Sequence, residues 1–196
     1  MRRSANHASA GRAAGAGRNR VRIIGGRWRS RLVKFPALPT LRPTPDRVRE
    51  TLFNWLGQRL DGLACLDLFA GSGALGFEAL SRGAARVVMV ERDREVAQAL
   101  RASGLELAAQ GLEVVHGEAL AFLKGTAEKF DVVFLDPPYA SDLAHRALER
   151  LAPHLKPAAR VYVESALPVH AGDTWRVLRE DRAGTVRYAL FELATP

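Results

Sequence analysis

Cys65-Leu-Asp-Leu-Phe-Ala-Gly-Ser-Gly-Ala-Leu-Gly76 decides how the chain is read. An apolar run carrying one carboxylate breaks into a glycine-rich turn and then enters an amphipathic segment. That order spells a strand, a tight loop and a helix start, the shape that brings backbone N–H groups up to a nucleotide. The spacing Gly71-Ser-Gly-Ala-Leu-Gly76 also matches a dinucleotide fingerprint. Asp67, four residues before Gly71, argues against that use, because a pyrophosphate at the helix N-terminus is repelled by a neighbouring carboxylate. An acid at a strand tip suits a cationic ligand instead. S-adenosylmethionine, with its sulfonium and α-amino group, is one.

Working outward, strand and helix patterns alternate in the manner of a doubly wound α/β sheet. Strands are predicted over 63–69, 85–91, 112–118, 130–135, 160–164, 175–179 and 186–193, with helices over 73–82, 95–109 and 143–154. The last two strands are joined by the turn Arg182-Ala-Gly184, so they must be antiparallel. The expectation is a Rossmann-like, mostly parallel seven-stranded sheet ending in an antiparallel hairpin, which favours a methyltransferase over a dehydrogenase. Glu91 ends the second strand twenty residues after Gly71, where a carboxylate hydrogen-bonds ribose hydroxyls.

A second stretch, Val132-Val-Phe-Leu-Asp-Pro-Pro-Tyr139, carries the chemistry. Asp136 follows a strand that is apolar apart from Asp131, and so falls at the carboxyl edge where such sheets bind ligands. Pro137 and Pro138 lack N–H groups, so the turn offers rigid acceptors and no backbone donors there. An Asp136 oxygen and the Pro137 carbonyl suit the two hydrogens of an exocyclic NH₂ group, turning its lone pair toward a methyl donor. Tyr139 is placed to stack on the base that bears the amine. The same geometry accepts the N6 amine of adenine or the N2 amine of guanine.

The charge is uneven. The chain carries a net charge of +8, yet residues 1–49 hold thirteen Lys/Arg against one acid, Asp46, leaving sixteen against twenty for the rest. A basic quarter on an acidic body is the asymmetry of a nucleic-acid binder. Residues 1–20 are Arg-, Ala- and Gly-rich and read as a disordered basic tail, equally compatible with a solubilising or a transit segment. Residues 21–35 read as a β-hairpin turning at Gly25-Gly26, with Arg27, Arg29 and Arg31 on one strand face. In the following helix Thr44 is the natural N-cap, Pro45 fits the first helical position and Gly57 closes the end. Its apolar stripe is Val48, Leu52, Trp55 and Leu56. The division expected is a tail over 1–20, an RNA-binding hairpin and helix over 21–60, and a catalytic domain over 61–196. One cysteine, Cys65, placed inside the first strand as a core residue, excludes disulfide frameworks and cysteine-based metal sites. No metal is expected.

These segments together resemble the bacterial 16S rRNA guanine-N2-methyltransferase family (RsmD), within the class I methyltransferases that bear an (N/D/S)-P-P-(Y/F/W) motif. The resemblance rests on Arg22-Ile-Ile-Gly-Gly-Arg-Trp-Arg29, Leu41-Arg-Pro-Thr-Pro-Asp-Arg-Val-Arg-Glu-Thr-Leu-Phe-Asn-Trp-Leu56, Leu66–Gly76 and Asp136-Pro-Pro-Tyr139. It implies S-adenosylmethionine as cofactor and methylation of a guanine amine in 16S rRNA of an assembling small subunit, by a cytoplasmic monomer. It further implies that Asp67, Phe69, Ala70, Gly71, Ser72 and Gly73 line the cofactor, with Glu91 and Arg92 at its ribose. Glu118 and Ala119 then fall beside the adenine, where the family pattern has Asp or Asn, and Asp136 closes the site. Arg22, Arg27, Arg29, Arg31, Arg42 and Arg47 are the expected RNA contacts. A non-catalytic RNA-binding assembly factor is the reading of a different class.

Overall fold

The computed structural model describes residues 19–38, 41, 43–138, 141–166 and 172–194. Two buried layers explain the architecture. The sheet runs β3 (Ala64–Asp67), β4 (Arg86–Glu91), β5 (Leu112–His116), β6 (Phe130–Leu135), β7 (Leu155–Ser165), β8 (Trp175–Ala183) and β9 (Val186–Leu193) in spatial order β5-β4-β3-β6-β7-β9-β8. Pairings from β5 across to β7 are parallel, and β9 is antiparallel to both β7 and β8. The central strands are Val- and Leu-rich with hardly an exposed position, as a sheet covered on both faces requires. On one face lie α1 (Asp46–Trp55), α2 (Ala74–Ser81) and α3 (Arg94–Glu106), packed through Leu52, Phe53, Phe77 and Leu100 onto Cys65, Val132 and Phe134. On the other, α4 (Ala119–Gly125) and α5 (Leu143–Leu151) pack through Leu123, Ala147 and Leu151. The strand order reverses between β3 and β6, which opens a crevice at their carboxyl ends.

The predicted sheet and its reversed last strand are present; several boundaries differ. α4 has no counterpart among the predicted helices: strand β5 stops at His116, short of the predicted 118, and Glu118 sits at the N-cap position of that short helix. β7 starts at Leu155, directly after a 3-10 turn, Ala152–His154, that ends the predicted 143–154 helix early. Asn19 and Arg20, assigned from composition to the basic tail, belong to β1 (Asn19–Arg22); residues 1–18 lie outside the described residues.

β1 pairs with β2 (Leu32–Phe35) as the expected hairpin, but its connection is longer than a Gly-Gly turn. Gly26–Trp28 forms a 3-10 turn that tucks the Trp28 ring against α2, so Arg27, Arg29 and Arg31 do not share a strand face. Burying one indole outweighs continuing the ladder. The Trp28 N–H donates to Ser81 Oγ at 2.9 Å, and that hydroxyl donates to the Gly25 carbonyl at 2.5 Å. Gly26 has φ of +72°, and a Cβ there would lie 1.9 Å from the Ser81 carbonyl oxygen.

A helix of ten residues is marginal alone, so α1 depends on what it buries. Val48, Leu52 and Phe53 are buried, each contributing about 1.5–3 kcal/mol. Trp55 and Leu56 are only half-buried, and Phe53 takes the place the sequence pattern had assigned them. Arg49 is buried too, with none of its side chain exposed. Its guanidinium donates to Glu78 of α2 (3.3 Å), to Asp46 (2.5 Å) and to the carbonyls of Arg22 (2.9 Å) and Thr44 (3.1 Å). Glu78, equally buried, also accepts from Arg82 at 2.8 Å and from the Ile24 N–H at 2.8 Å. Hairpin, helix and body meet at this pair. Arg49→Leu should cost about 3–5 kcal/mol in urea denaturation, because it strips Glu78 of a buried partner. Arg49→Lys should recover less than half of that, since an ammonium lacks the fork that reaches four acceptors. Full recovery by lysine would show that charge alone matters there.

Candidate active site

Three strand tips converge on the crevice. β3 ends in Asp67, β6 leads into Asp136, and β7 nears its end at Glu164. Register pairs Asp67 with Phe134 and Leu135 with Val163, so Asp136 and Glu164 are neighbours on adjacent strands. All three side chains therefore rise on the face that carries α1 and α2.

Asp67 is 1% exposed, and its Oδ2 accepts the Gly76 N–H at 3.0 Å. It thereby satisfies a donor in the first turn of α2, whose capping position is a glycine with φ of +75° and no side chain to do so. Gly76 has no room for a side chain: a Cβ would lie 2.4 Å from Met89 Cε and 3.2 Å from the Asp67 carboxylate. The third glycine thus brings helix and strand together around the acid. Glu91 ties the loop from the other side. One of its oxygens accepts the Gly71 N–H at 2.9 Å and the other the Asp93 N–H at 2.8 Å. Phe69, Ala70, Ser72 and Gly73 form the loop between them, and Leu41 lies against Gly71. Arg92 is exposed at the end of β4, Glu118 is exposed and Ala119 buried at the start of α4. The cofactor residues expected from sequence lie on the β3, β4 and β5 tips and the segments that follow them. Acids beside a turn of backbone N–H groups fit a ligand with a cationic end and a hydroxyl-bearing ribose.

Asp136 follows β6 with Pro137 buried and Pro138 exposed. Its Oδ2 accepts a hydrogen bond from the Thr44 hydroxyl at 2.9 Å. Thr44 is therefore not the N-cap the sequence implied: α1 begins at Asp46, and the 6% exposed Thr44 side chain turns into the site. N-cap chemistry was the obvious local reading, and a partner 92 residues away left no local trace. Glu164 is the second residue missed. It is 6% exposed, accepts from the Tyr162 hydroxyl at 3.0 Å, and lines a cleft with Asp136, Pro137 and Pro138. A signal for it existed: like Asp67 and Asp136, it is an acid that closes an apolar strand run. Tyr139 and Arg42 lie outside the described residues.

The expected RNA contacts separate into two groups. Arg22 pairs with Asp46 at 2.9 Å, and Arg47 is exposed on the first turn of α1, both on the side of Thr44. Arg27, Arg29 and Arg31 are exposed near the far ends of α2 and α3: Arg27 and Arg29 border a groove with Ser81 and Arg82, and Arg31 donates to the Glu106 carbonyl. Those helices run from the carboxyl to the amino edge of the sheet, so the hairpin tip sits away from Asp136.

Crowding acids in a dry crevice raises their pKa values. Burial, then the charges of Asp136 and Glu91, push Asp67 up to about 7 against the Gly76 and Phe69 N–H donors. Burial pushes Asp136 up to about 6, with the Thr44 hydroxyl opposing. Burial and the Asp136 charge push Glu164 up to about 8, with the Tyr162 hydroxyl opposing. The Cys65 thiol, buried in β3, is pushed up to about 12 by burial and is inert. Each of the three carboxyls binds protons more tightly folded than unfolded, so each stabilises the fold at low pH and loses that contribution as pH rises through its folded value. Stability of the ligand-free protein should fall between about pH 4, where the unfolded carboxyls ionise, and about pH 8, the highest of the folded values. Urea titrations across that range check it: Asp67→Asn should flatten the slope between about pH 4 and pH 7, and an unchanged slope there would show that Asp67 does not contribute.

A family model described as Conserved hypothetical protein 95 matches residues 21–192. The chain is 44% identical over 183 residues to the Ribosomal RNA small subunit methyltransferase D of Escherichia coli, covering 90% of this chain and 92% of that protein. It is 46% identical over 182 residues to the protein of the same name from Haemophilus influenzae, covering 88% and 93%. The solved structure of Escherichia coli yhhF superposes with a TM-score of 0.82 at 42% identity, over 91% of this chain and all of that one. By the family-model match over residues 21–192 and by identity to these relatives over about nine-tenths of both chains, the chain belongs to the ribosomal RNA small subunit methyltransferase D family.

Proposed function

We propose that this protein transfers a methyl group from S-adenosylmethionine to the exocyclic N2 amine of a guanine in 16S rRNA. One observation carries the reading: Asp136 stands at the tip of a buried strand with one oxygen held by Thr44, followed by two residues that have no N–H. The turn is thus an amine receptor. The free Asp136 oxygen and the Pro137 carbonyl accept the two amine hydrogens, which drains conjugation from the nitrogen and points its lone pair at the donor. S-adenosylmethionine supplies an electrophilic methyl group on a sulfonium. Asp67 and Glu91 are the residues assigned to its cationic end and its ribose, and the backbone from Phe69 to Gly73, Arg92, Glu118 and Ala119 to the rest. Transfer is an in-line displacement, so positioning and polarisation supply most of the acceleration. No strong base is required, because the proton leaves after the methyl arrives. Tyr139 is assigned to stacking, worth about 1–3 kcal/mol for an unpaired base.

Residues 21–60 and the arginines Arg22, Arg27, Arg29, Arg31, Arg42 and Arg47 are assigned to RNA, with the enzyme a cytoplasmic monomer acting on an assembling small subunit. The basic first quarter of the chain supports the RNA assignment. No described helix is long and apolar enough to cross a membrane.

The test is tritium-methyl transfer to naked 16S rRNA and to small subunits, followed by nucleoside analysis. N2-methylguanosine is expected; N6-methyladenosine would overturn the base assignment, and no incorporation with cofactor bound would favour a binding factor. Asp136→Ala should abolish transfer while S-adenosylhomocysteine still raises the melting temperature. Thr44→Val removes the donor that holds Asp136 down, so the acid limb of the pH–rate profile should move upward. A limb that stays in place would make Thr44 a packing residue.

A further inference from the structure

Glu164 has no part in methyl transfer as derived above, yet it occupies the acceptor cleft. It follows Val163, whose partner Leu135 precedes Asp136, so the two carboxyls stand side by side on strands about 4.8 Å apart. Glu164, Asp136, Pro137 and Pro138 line the same cleft. Tyr162, two residues earlier on the same face, donates its hydroxyl to Glu164 Oε2 at 3.0 Å. Tyr162 is itself buried between β6 and β9, its ring 6.3 Å from that of Tyr188. One carboxyl oxygen is therefore held by Tyr162, which leaves the other as the acceptor that Glu164 can offer to the cleft it lines.

The two purines differ at the atom next to the reacting amine. In guanine the N2 amine adjoins N1–H, a donor. In adenine the N6 amine adjoins N1 with a lone pair, an acceptor. An acceptor beside Asp136 therefore welcomes the first edge and opposes the second. We infer that Glu164 is the base-selecting residue of this site, its cleft-side oxygen accepting the N1–H of the guanine whose N2 amine Asp136 holds. This rests on the methyl-transfer reading above and names the residue that makes it guanine-specific. Ionisation follows the same logic. The ligand-free crevice resists a second charge beside Asp136, whereas a base N–H on Glu164 favours its charged form, as the Tyr162 hydroxyl already does. A site built to receive a donor rejects an analogue that lacks it far more strongly than one chosen by shape.

The test uses the guanine mapped by nucleoside analysis of RNA methylated by the parent enzyme. Two RNAs are prepared, one with guanine at that position and one with 2-aminopurine, which keeps the N2 amine but presents a lone pair at N1. The parent enzyme should methylate guanine faster by about tenfold or more. In Glu164→Gln, Tyr162 holds the amide oxygen and turns the NH₂ toward the base, now a donor facing N1. Guanine should slow by about tenfold while 2-aminopurine speeds up, reversing the order. A merely structural role would slow both RNAs by one factor, and that result overturns the inference. If the variant no longer binds S-adenosylhomocysteine, the parent's own ratio decides: equal rates on the two RNAs overturn it, and a strong preference for guanine supports it. A mapped product other than N2-methylguanosine overturns the guanine reading and this inference with it. A correct product with equal rates overturns the role of Glu164 alone.

Discussion

A buried ion pair holds the site together. Arg49 reaches four acceptors on three parts of the chain, and the Thr44 carbonyl is one of them. Fixing that carbonyl fixes the residue whose hydroxyl meets Asp136, so the setting of that carboxyl depends on an arginine that never touches it. The two charges are tolerated because every part of the pair is hydrogen-bonded: Glu78 also has Arg82 and a backbone N–H, and Arg49 also has Asp46. Asp46 in turn is held below its ordinary value by Arg22 and Arg49, despite the opposing effect of burial.

The site is itself a collection of under-neutralised acids. Asp67, Asp136 and Glu164 share one face of one sheet edge, and none is ion-paired with a basic side chain among the described residues. In isolation such crowding is unfavourable. In the proposed reaction it becomes useful, because the ligands would bring what the acids lack: a cation for the glycine loop, amine hydrogens for Asp136, a ring N–H for Glu164. The turn after Asp136 supplies carbonyl acceptors and no backbone donor at Pro137 or Pro138. Strain of this electrostatic kind is what a preorganised site stores.

The arginines show how far local patterns reach. Period two in Arg27, Arg29 and Arg31 is real in the sequence, but a buried Trp28 and the Ser81 hydroxyl turn that segment into a 3-10 turn on α2. Arg49 was one polar position among several on a helix, and nothing in its neighbours announced Glu78. Glu164 was readable as an acid at the end of an apolar strand; what was missing was its neighbour, since strand adjacency follows from the order β6-β7 and not from spacing along the chain.

The chain alone determined the alternation of strands and helices, the reversed last strand, the glycine loop with its acid, and the Asp-Pro-Pro turn. Each is a short-range matter of periodicity, glycine or proline, where the residues concerned are adjacent. The tertiary structure alone decided that Thr44 serves Asp136 and not its own helix, that Arg49 is buried, that the hairpin tip lies at the opposite edge from the site, and that Glu164 stands beside Asp136. Those four depend on which surfaces bury against one another, and burial is a property of the folded whole: a hydroxyl, a guanidinium or a carboxyl takes the partner that the excluded water leaves within reach.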